Sequence, residues 1–282
     1  MSRHHLVHGH HEIDGLGYAV SRRGSPGRPA LVLLHGFTGA ATSWAEHLPE
    51  LGEAFELLMV DLPGHGRSGV PAEPSRASVE RVSDDLARLL ERFGPAPAHL
   101  LGYSLGARVA LRLAIAHPGV VRRLVLESPS AGIVDPDERA ARREADEALA
   151  GSLERHGIAP FVEHWERQPL FASQATLPEE RRAIVRRERL ANRPDGLAAS
   201  LRGAGQGVME PLHDRLGAVA APTLVVAGAL DHAGLDRARA VAAGIPDARL
   251  AVVPDAGHRI HLEQPARFRR LVLEFLTEVP AT

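Results

Sequence analysis

The segment Gly102-Tyr103-Ser104-Leu105-Gly106 is the first place where residue types and spacing suggest chemistry. A serine between glycines two residues away on either side fits a sharp strand-to-helix turn, which holds the hydroxyl out above the edge of a sheet. The flanking segments agree, because His99–Leu101 is apolar enough for a buried strand and Leu105–His117 is helical in pattern. A serine hydroxyl needs a base, and the base needs an orienting acid. An elbow of this kind takes them in the order serine, acid, histidine. Asp231 follows the strand-like run Thr223–Ala227, and His258 follows Ala248–Val253. Parallel strands would bring both to the sheet edge that carries Ser104. The competitors are weaker: Asp236 falls inside a helical pattern, Asp255 is too near His258 to reach the far side of its ring, and His261 is expected to be solvated. The segment His35-Gly36-Phe37-Thr38 follows another buried run. Its Phe37 N–H, with that of Leu105, would form an oxyanion hole, while His35 and Gly36 shape the loop. Asp61–Ser68 reads as a loop brace.

The elements that must position these residues alternate. Ala30–Leu34, Leu57–Val60, His99–Leu101, Val121–Leu126, Thr223–Ala227 and Ala248–Val253 read as strands, and helical patterns separate most of them. Ser78 can cap a helix reaching Phe93, with Gly94 and Pro95 as its stop. This is the pattern of an α/β protein with a mostly parallel, doubly wound sheet. From Pro129 to about Arg215 no strand-like run occurs; arginine- and glutamate-rich helical stretches replace it. The expected organisation is a core of residues 1–128 and 216–282 with a helical lid, 129–215, over the carboxyl ends of the strands.

Composition narrows the chemistry. The 282 residues carry a formal net charge of -2 and include no cysteine, and the basic residues, 33 in all, are arginines without exception. Cysteine nucleophiles, thiolate-bound metals, lysine Schiff bases and lysine-dependent phosphate loops are excluded. Every fixed cation is a guanidinium, a planar fork that suits carboxylates. Nothing points to nucleic acid or to a membrane as a partner, and no segment specifies an oligomeric state. No apolar leader run is visible near the N-terminus, so a cytoplasmic protein is expected. His4, His5, His8, His10 and His11 follow no metal-ligand spacing.

These motifs together resemble the α/β-hydrolase superfamily. Leu126–Gly132, Glu138–Asp146, Trp165–Ala172, Arg189–Arg202 and Gly102–Arg108 resemble more narrowly the 2-succinyl-6-hydroxy-2,4-cyclohexadiene-1-carboxylate synthase (MenH) family of menaquinone biosynthesis. The resemblance spans about Leu31 to Leu276. It departs after Asp231, where His232-Ala-Gly-Leu-Asp236 stands in place of the family's usual basic–aromatic pair. The resemblance implies a lyase that eliminates pyruvate from 2-succinyl-5-enolpyruvyl-6-hydroxy-3-cyclohexene-1-carboxylate, an anionic small molecule. Ser104, backed by His258 and Asp231, would act as a base on a ring proton, the oxyanion hole would hold the developing enolate, and the resemblance implies no metal or organic cofactor. The same resemblance assigns Arg108, Arg142 and Arg189 to substrate carboxylates, and Trp165 and Tyr103 to the pocket. A charge one helical turn beyond Ser104, at Arg108, points the same way independently. The triad alone fits equally a hydrolase of an ester or of a dienoate carbon–carbon bond. A non-catalytic binding protein of this fold is a remoter alternative, since such proteins typically lose a triad member. The lid arginines favour the lyase.

Overall fold

The computed structural model describes residues 6–25, 27–93 and 96–278. His4 and His5, and the Gly94–Pro95 helix stop, lie outside them. One eight-stranded sheet organises the chain in the order β1-β2-β4-β3-β5-β6-β7-β8. Its strands are β1 (Val7–Ile13), β2 (Leu16–Arg23), β3 (Ala30–Leu34), β4 (Glu56–Val60), β5 (Ala98–Tyr103), β6 (Val121–Glu127), β7 (Thr223–Gly228) and β8 (Ala248–Val253). From β4 through β8 neighbouring strands pair in parallel, whereas β1 and β2 join antiparallel at the edge. All of β3 and β5 is buried, because helices cover both faces. On one face α2 (Val79–Phe93), α3 (Leu105–Ala116) and α8 (His232–Gly244) pack through residues such as Leu86, Leu111 and Val241. On the other, α1 (Leu48–Ala54) and α9 (Pro265–Thr277) pack through Leu51, Phe268 and Val272.

The β1–β2 hairpin is the element the apolar patterning does not anticipate. The chain enters it on exposed histidines, and β1 lies at the sheet edge. Its register is set by a two-residue turn between the paired Ile13 and Leu16. Asp14 and Gly15 both take positive φ, 46° and 77°, the mirror-image turn that matches strand twist. The Asp-Gly pair is therefore the sequence signal for this hairpin.

Between β6 and β7 the described chain is helical: α4 (Pro136–His156), α5 (Ile158–Glu166), α6 (Glu179–Leu190) and α7 (Pro194–Ala204). Asp135 caps α4 by accepting from the N–H groups of Asp137 and Glu138, with Pro136 in the first turn where its missing N–H costs nothing. These helices have an apolar core of their own, including Leu153, Phe161, Val162 and Leu197, and Phe37 of the sheet-edge loop packs against it. The insertion thus grips the main body next to the candidate oxyanion loop. Among the described residues no helix is long and apolar enough to cross a membrane.

Histidines buried in this core carry a pH consequence. Burial, then the neighbouring His261 charge, pushes His47 down to about 3. Burial, then His35, pushes His65 down to about 3. Burial, then Arg122 and Arg123, pushes His99 down to about 4. Each ring is neutral when folded and regains its ordinary value of 6.5 when unfolded. Unfolding therefore takes up protons below that value, so their stabilising contribution is intact above pH 6.5 and falls as pH drops toward 4. The expected slope is about 1.4 kcal/mol per pH unit for each proton taken up. Urea unfolding between pH 7 and pH 5 measures it, and His99→Phe should flatten the slope.

Candidate active site

The elbow forms because two glycines let backbones meet. A Cβ on Gly106 would run into the carbonyl of Leu34 at the end of β3, and one on Gly102 into the carbonyl of Gly106. With neither present, α3 starts hard against the sheet, and Ser104 is held at φ 51°, ψ -104°. Its N–H donates to the Glu127 carbonyl of β6 at 2.9 Å, which anchors the strained residue to the next strand. Strain of this kind persists only where its surroundings enforce it.

Parallel pairing of β5, β6, β7 and β8 delivers the partners. His258 Nε2 lies 3.0 Å from Ser104 Oγ, and its Nδ1 lies 2.7 Å from Asp231 Oδ2. The second carboxylate oxygen of Asp231 accepts the Gly234 N–H at 2.8 Å, in the first turn of α8. Burial raises the Asp231 carboxyl, but the hydrogen bond and charge of His258 and the Gly234 N–H outweigh it, holding the group below its ordinary value. Asp231 is thus ionised at neutral pH, and an ionised partner fixes the Nδ1–H tautomer, leaving Nε2 free to take the serine proton. Ser128 Oγ donates to the His258 carbonyl at 2.8 Å and steadies the loop. Of the competitors, Asp236 is exposed and pairs with Arg239, and Asp255 occupies the turn before His258 at φ 56°.

Phe37 and Leu105 both border the space above Ser104. Leu105 opens α3, so its N–H has no intrahelical acceptor. The Phe37 loop is held from behind. His35 Nε2 accepts the Leu62 N–H at 2.9 Å, so its Nδ1–H donates to the Gly36 carbonyl at 2.8 Å. Asp61 accepts the N–H groups of Ala41 at 2.6 Å and Arg67 at 2.9 Å. His35 and Asp61 act within the scaffold.

His261 departs from expectation. It is 1% exposed rather than solvated. The reason is Glu127, a carboxylate that follows the buried run Leu124–Leu126 at the end of β6, fully buried and in need of donors. The His261 N–H serves one Glu127 oxygen at 2.9 Å, and His261 Nδ1 lies 2.7 Å from the other. Arg259 Nε donates to His261 Nε2 at 3.0 Å. Since guanidinium only donates, the His261 proton sits on Nδ1 and faces Glu127. Arg259 then pairs with Glu188 of α6 at 3.1 Å, and Glu188 accepts from Ser43 Oγ. Burial raises the Glu127 carboxyl to about 8, against the His261 N–H and the Arg259 charge, which lower it. A chain of buried polar groups therefore connects β6, the residue after His258, and the inserted helix α6.

A cavity of about 410 Å³ opens above Ser104 and His258. Arg108, Arg142 and Trp165 line it. Arg108 is 8% exposed, and its Nη1 donates to the Ala204 carbonyl at 2.6 Å. Burial first, then the Arg142 charge, pushes Arg108 down to about 10, so it remains a cation at neutral pH. Arg142 pairs with Asp146 one turn on, Nε at 2.9 Å and Nη2 at 2.8 Å from the same oxygen. Trp165 stacks on Phe161 at 5.6 Å and meets Phe37 edge-on at 5.4 Å. Two expected residues stand apart from this cavity. Arg189 is buried one wall back, over the Phe171 ring at 4.7 Å and 3.3 Å from Glu166, and it borders a separate groove with Gln174 and Arg186. Tyr103 is wedged between His258 and His261, ring centroids 5.5 and 4.9 Å away, and supports the triad from below. Cavity residues to which the sequence reading gave no role include Ser128 and Gln168, inside the resembling motifs, and Gln206 and Arg237, outside them. Among the described residues no group of three or more histidines and carboxylates could hold a metal ion.

Residues 29–265 match the family described as alpha/beta hydrolase fold, and the chain belongs to that family. A putative 2-succinyl-6-hydroxy-2,4-cyclohexadiene-1-carboxylate synthase of Bacillus subtilis (strain 168) is 38% identical over 266 residues, 94% of this chain and 97% of that protein. A 2-succinyl-6-hydroxy-2,4-cyclohexadiene-1-carboxylate synthase of Enterobacter sp. (strain 638) is 33% identical over 91% of this chain and 95% of its own length. The structure of MenH from S. aureus superposes with a TM-score of 0.87 at 33% identity, covering 91% of this chain and 97% of that one. Within the fold family, the chain is a member of the 2-succinyl-6-hydroxy-2,4-cyclohexadiene-1-carboxylate synthase family.

The triad geometry predicts the behaviour of Asp231→Asn. The amide can still cap α8 but presents no negative charge to His258. Turnover should fall on the order of 10³- to 10⁴-fold with little change in melting temperature, measured as kcat and Tm on the same preparation.

Proposed function

We propose that this protein eliminates pyruvate from 2-succinyl-5-enolpyruvyl-6-hydroxy-3-cyclohexene-1-carboxylate, forming 2-succinyl-6-hydroxy-2,4-cyclohexadiene-1-carboxylate in menaquinone biosynthesis, with a cytoplasmic location as part of the same reading. The relatives bearing this synthase name align over nearly the whole chain. The observation that carries the reading to this chain's own residues is the pair of guanidiniums above Ser104. Arg108 and Arg142 stand close enough for one charge to depress the other, in a cavity whose floor is the triad. Two guanidiniums facing one cavity, Arg108 buried and Arg142 partly exposed beside Asp146, favour an anionic ligand. A neutral ester has no use for them.

In this reading His258 draws the proton from Ser104, and the serine oxygen removes a ring proton. The electron pair of that C–H bond, at the ring carbon bearing the succinyl chain, forms a double bond to C3; the existing C3–C4 double bond shifts to C4–C5, and the C5–O bond to the enolpyruvyl group breaks. The leaving enolate takes up one proton and becomes pyruvate; no water is consumed. Negative charge that develops on the substrate carbonyl is met by the N–H groups of Phe37 and Leu105. Arg108 and Arg142 hold substrate carboxylates, and Trp165 walls the ring. Arg189 serves from behind: it grips Glu166 beside Trp165 and covers Phe171, which itself touches Trp165 at 5.6 Å. Helices α4 to α7 form the lid that keeps the cavity apart from solvent.

Purified protein should release pyruvate from the enolpyruvyl substrate and leave a neutral aryl ester essentially untouched. The opposite preference would assign it to the hydrolases that share the triad. Ser104→Ala should lower elimination by several orders of magnitude, since the triad works as a unit. Arg108→Gln and Arg142→Gln should each reduce kcat/KM by about 2–5 kcal/mol, with Arg189→Gln costing less. Equal effects from all three would place Arg189 on the substrate.

A further inference from the structure

Arg237 is a cation of the catalytic cavity whose charge is not committed elsewhere. It lies in α8, six residues beyond Asp231, and is half-buried. Among the described residues no ion pair or hydrogen bond engages its guanidinium. The other two cavity arginines are held, Arg108 by the Ala204 carbonyl and Arg142 by Asp146. Arg237 also borders two spaces at once. One is the cavity above Ser104. The other is an adjoining groove of about 370 Å³ formed with Pro169, Leu170, Asp231, His232 and Gly257. Pro169 and Leu170 are likewise shared by both, so these three residues stand between the cavity and the groove.

The chemistry of the proposed elimination assigns this position a task. The diene product keeps two carboxylates, on the succinyl chain and on the ring, and two arginines stand in the inner wall. The third carboxylate departs with the three-carbon acid. That fragment must pass out of the cavity as an anion, and it acquires further negative charge as the ring carbon–oxygen bond breaks. An unpaired guanidinium at the opening attracts it without first having to break an existing ion pair, and its charge already reaches the triad, where it helps to hold Asp231 ionised.

We propose that Arg237 binds the carboxylate of the enolpyruvyl group, and that the groove beside it is the exit for the released 2-oxo acid. The assignment rests on the elimination reading above. The bond changes are those of that reaction: the C–O electron pair leaves with the three-carbon fragment, Arg237 donates hydrogen bonds to its carboxylate, and no further reactant enters.

The test compares a ligand that has this carboxylate with one that lacks it. Arg237→Gln is measured for kcat/KM on the enolpyruvyl substrate and, by calorimetric titration, for Kd of the diene product. The expected result is a loss of about 10- to 30-fold in kcat/KM, with the product Kd unchanged and part of the loss recovered in Arg237→Lys. A product Kd that weakens in step with kcat/KM would place Arg237 on a retained carboxylate and overturn the proposal, as would a variant with both quantities unaltered. Wild-type protein that releases no pyruvate at all would instead overturn the elimination reading, a result distinct from either.

Discussion

The molecule depends on one backbone contact that leaves no room for a side chain. The first turn of α3 sits against the end of β3 at Gly106, where a Cβ would strike the Leu34 carbonyl. That approach sharpens the turn after β5 and forces Ser104 to φ 51°. It also brings the N–H of Leu105 beside the loop that carries Phe37, since that loop leaves β3 within three residues of Leu34. The nucleophile position and the candidate oxyanion donors are thus one geometric event rather than separate designs. The strands on either side convert this into a triad. With β6, β7 and β8 parallel to β5, the loops bearing Ser128, Asp231 and His258 emerge at the same edge.

A second constraint holds that edge to the lid. Glu127 is buried without a direct cation of its own. It reaches Arg259 through His261, and Arg259 reaches Glu188 on α6. Removing one member would strand the others in a medium where unpaired charge is costly. Arg259, the residue next to His258, is therefore fixed by His261 and Glu188, and α6 shares that fixation. In a chain without lysine, this role falls to a guanidinium, whose Nε and Nη2 serve His261 and Glu188 simultaneously. A single ammonium would not offer that fork.

The elbow, the order of the triad and the alternation of strand and helix were legible because each has a local signature: a Gly-x-Ser-x-Gly spacing, apolar runs of strand length, and a charged residue just past each run. The hairpin was less legible, since β1 is an exposed edge strand with little apolar periodicity, and only Asp14-Gly15 betrays it. His261 was misjudged because its partner Glu127 is 134 residues away. Nothing in a local window says that a glutamate closing an apolar strand will be buried. The cavity arginines show the same limit. Arg142, Arg189 and Arg237 each look in sequence like a helical surface arginine with an acidic residue nearby. Only the packing of α4, α6 and α8 around the cavity separates one that lines it beside Asp146, one that stands behind Phe171, and one left unpaired at its edge.

The central claim is that Ser104 works as a base on carbon and not as an acylated nucleophile. The most direct measurement is a single-turnover comparison of the enolpyruvyl substrate with the same compound deuterated at the ring carbon that loses its proton, quenched and followed by intact-protein mass spectrometry. The account predicts slower pyruvate release from the deuterated substrate and an enzyme of unchanged mass throughout. Equal release rates together with a substrate-derived adduct on Ser104 would contradict it.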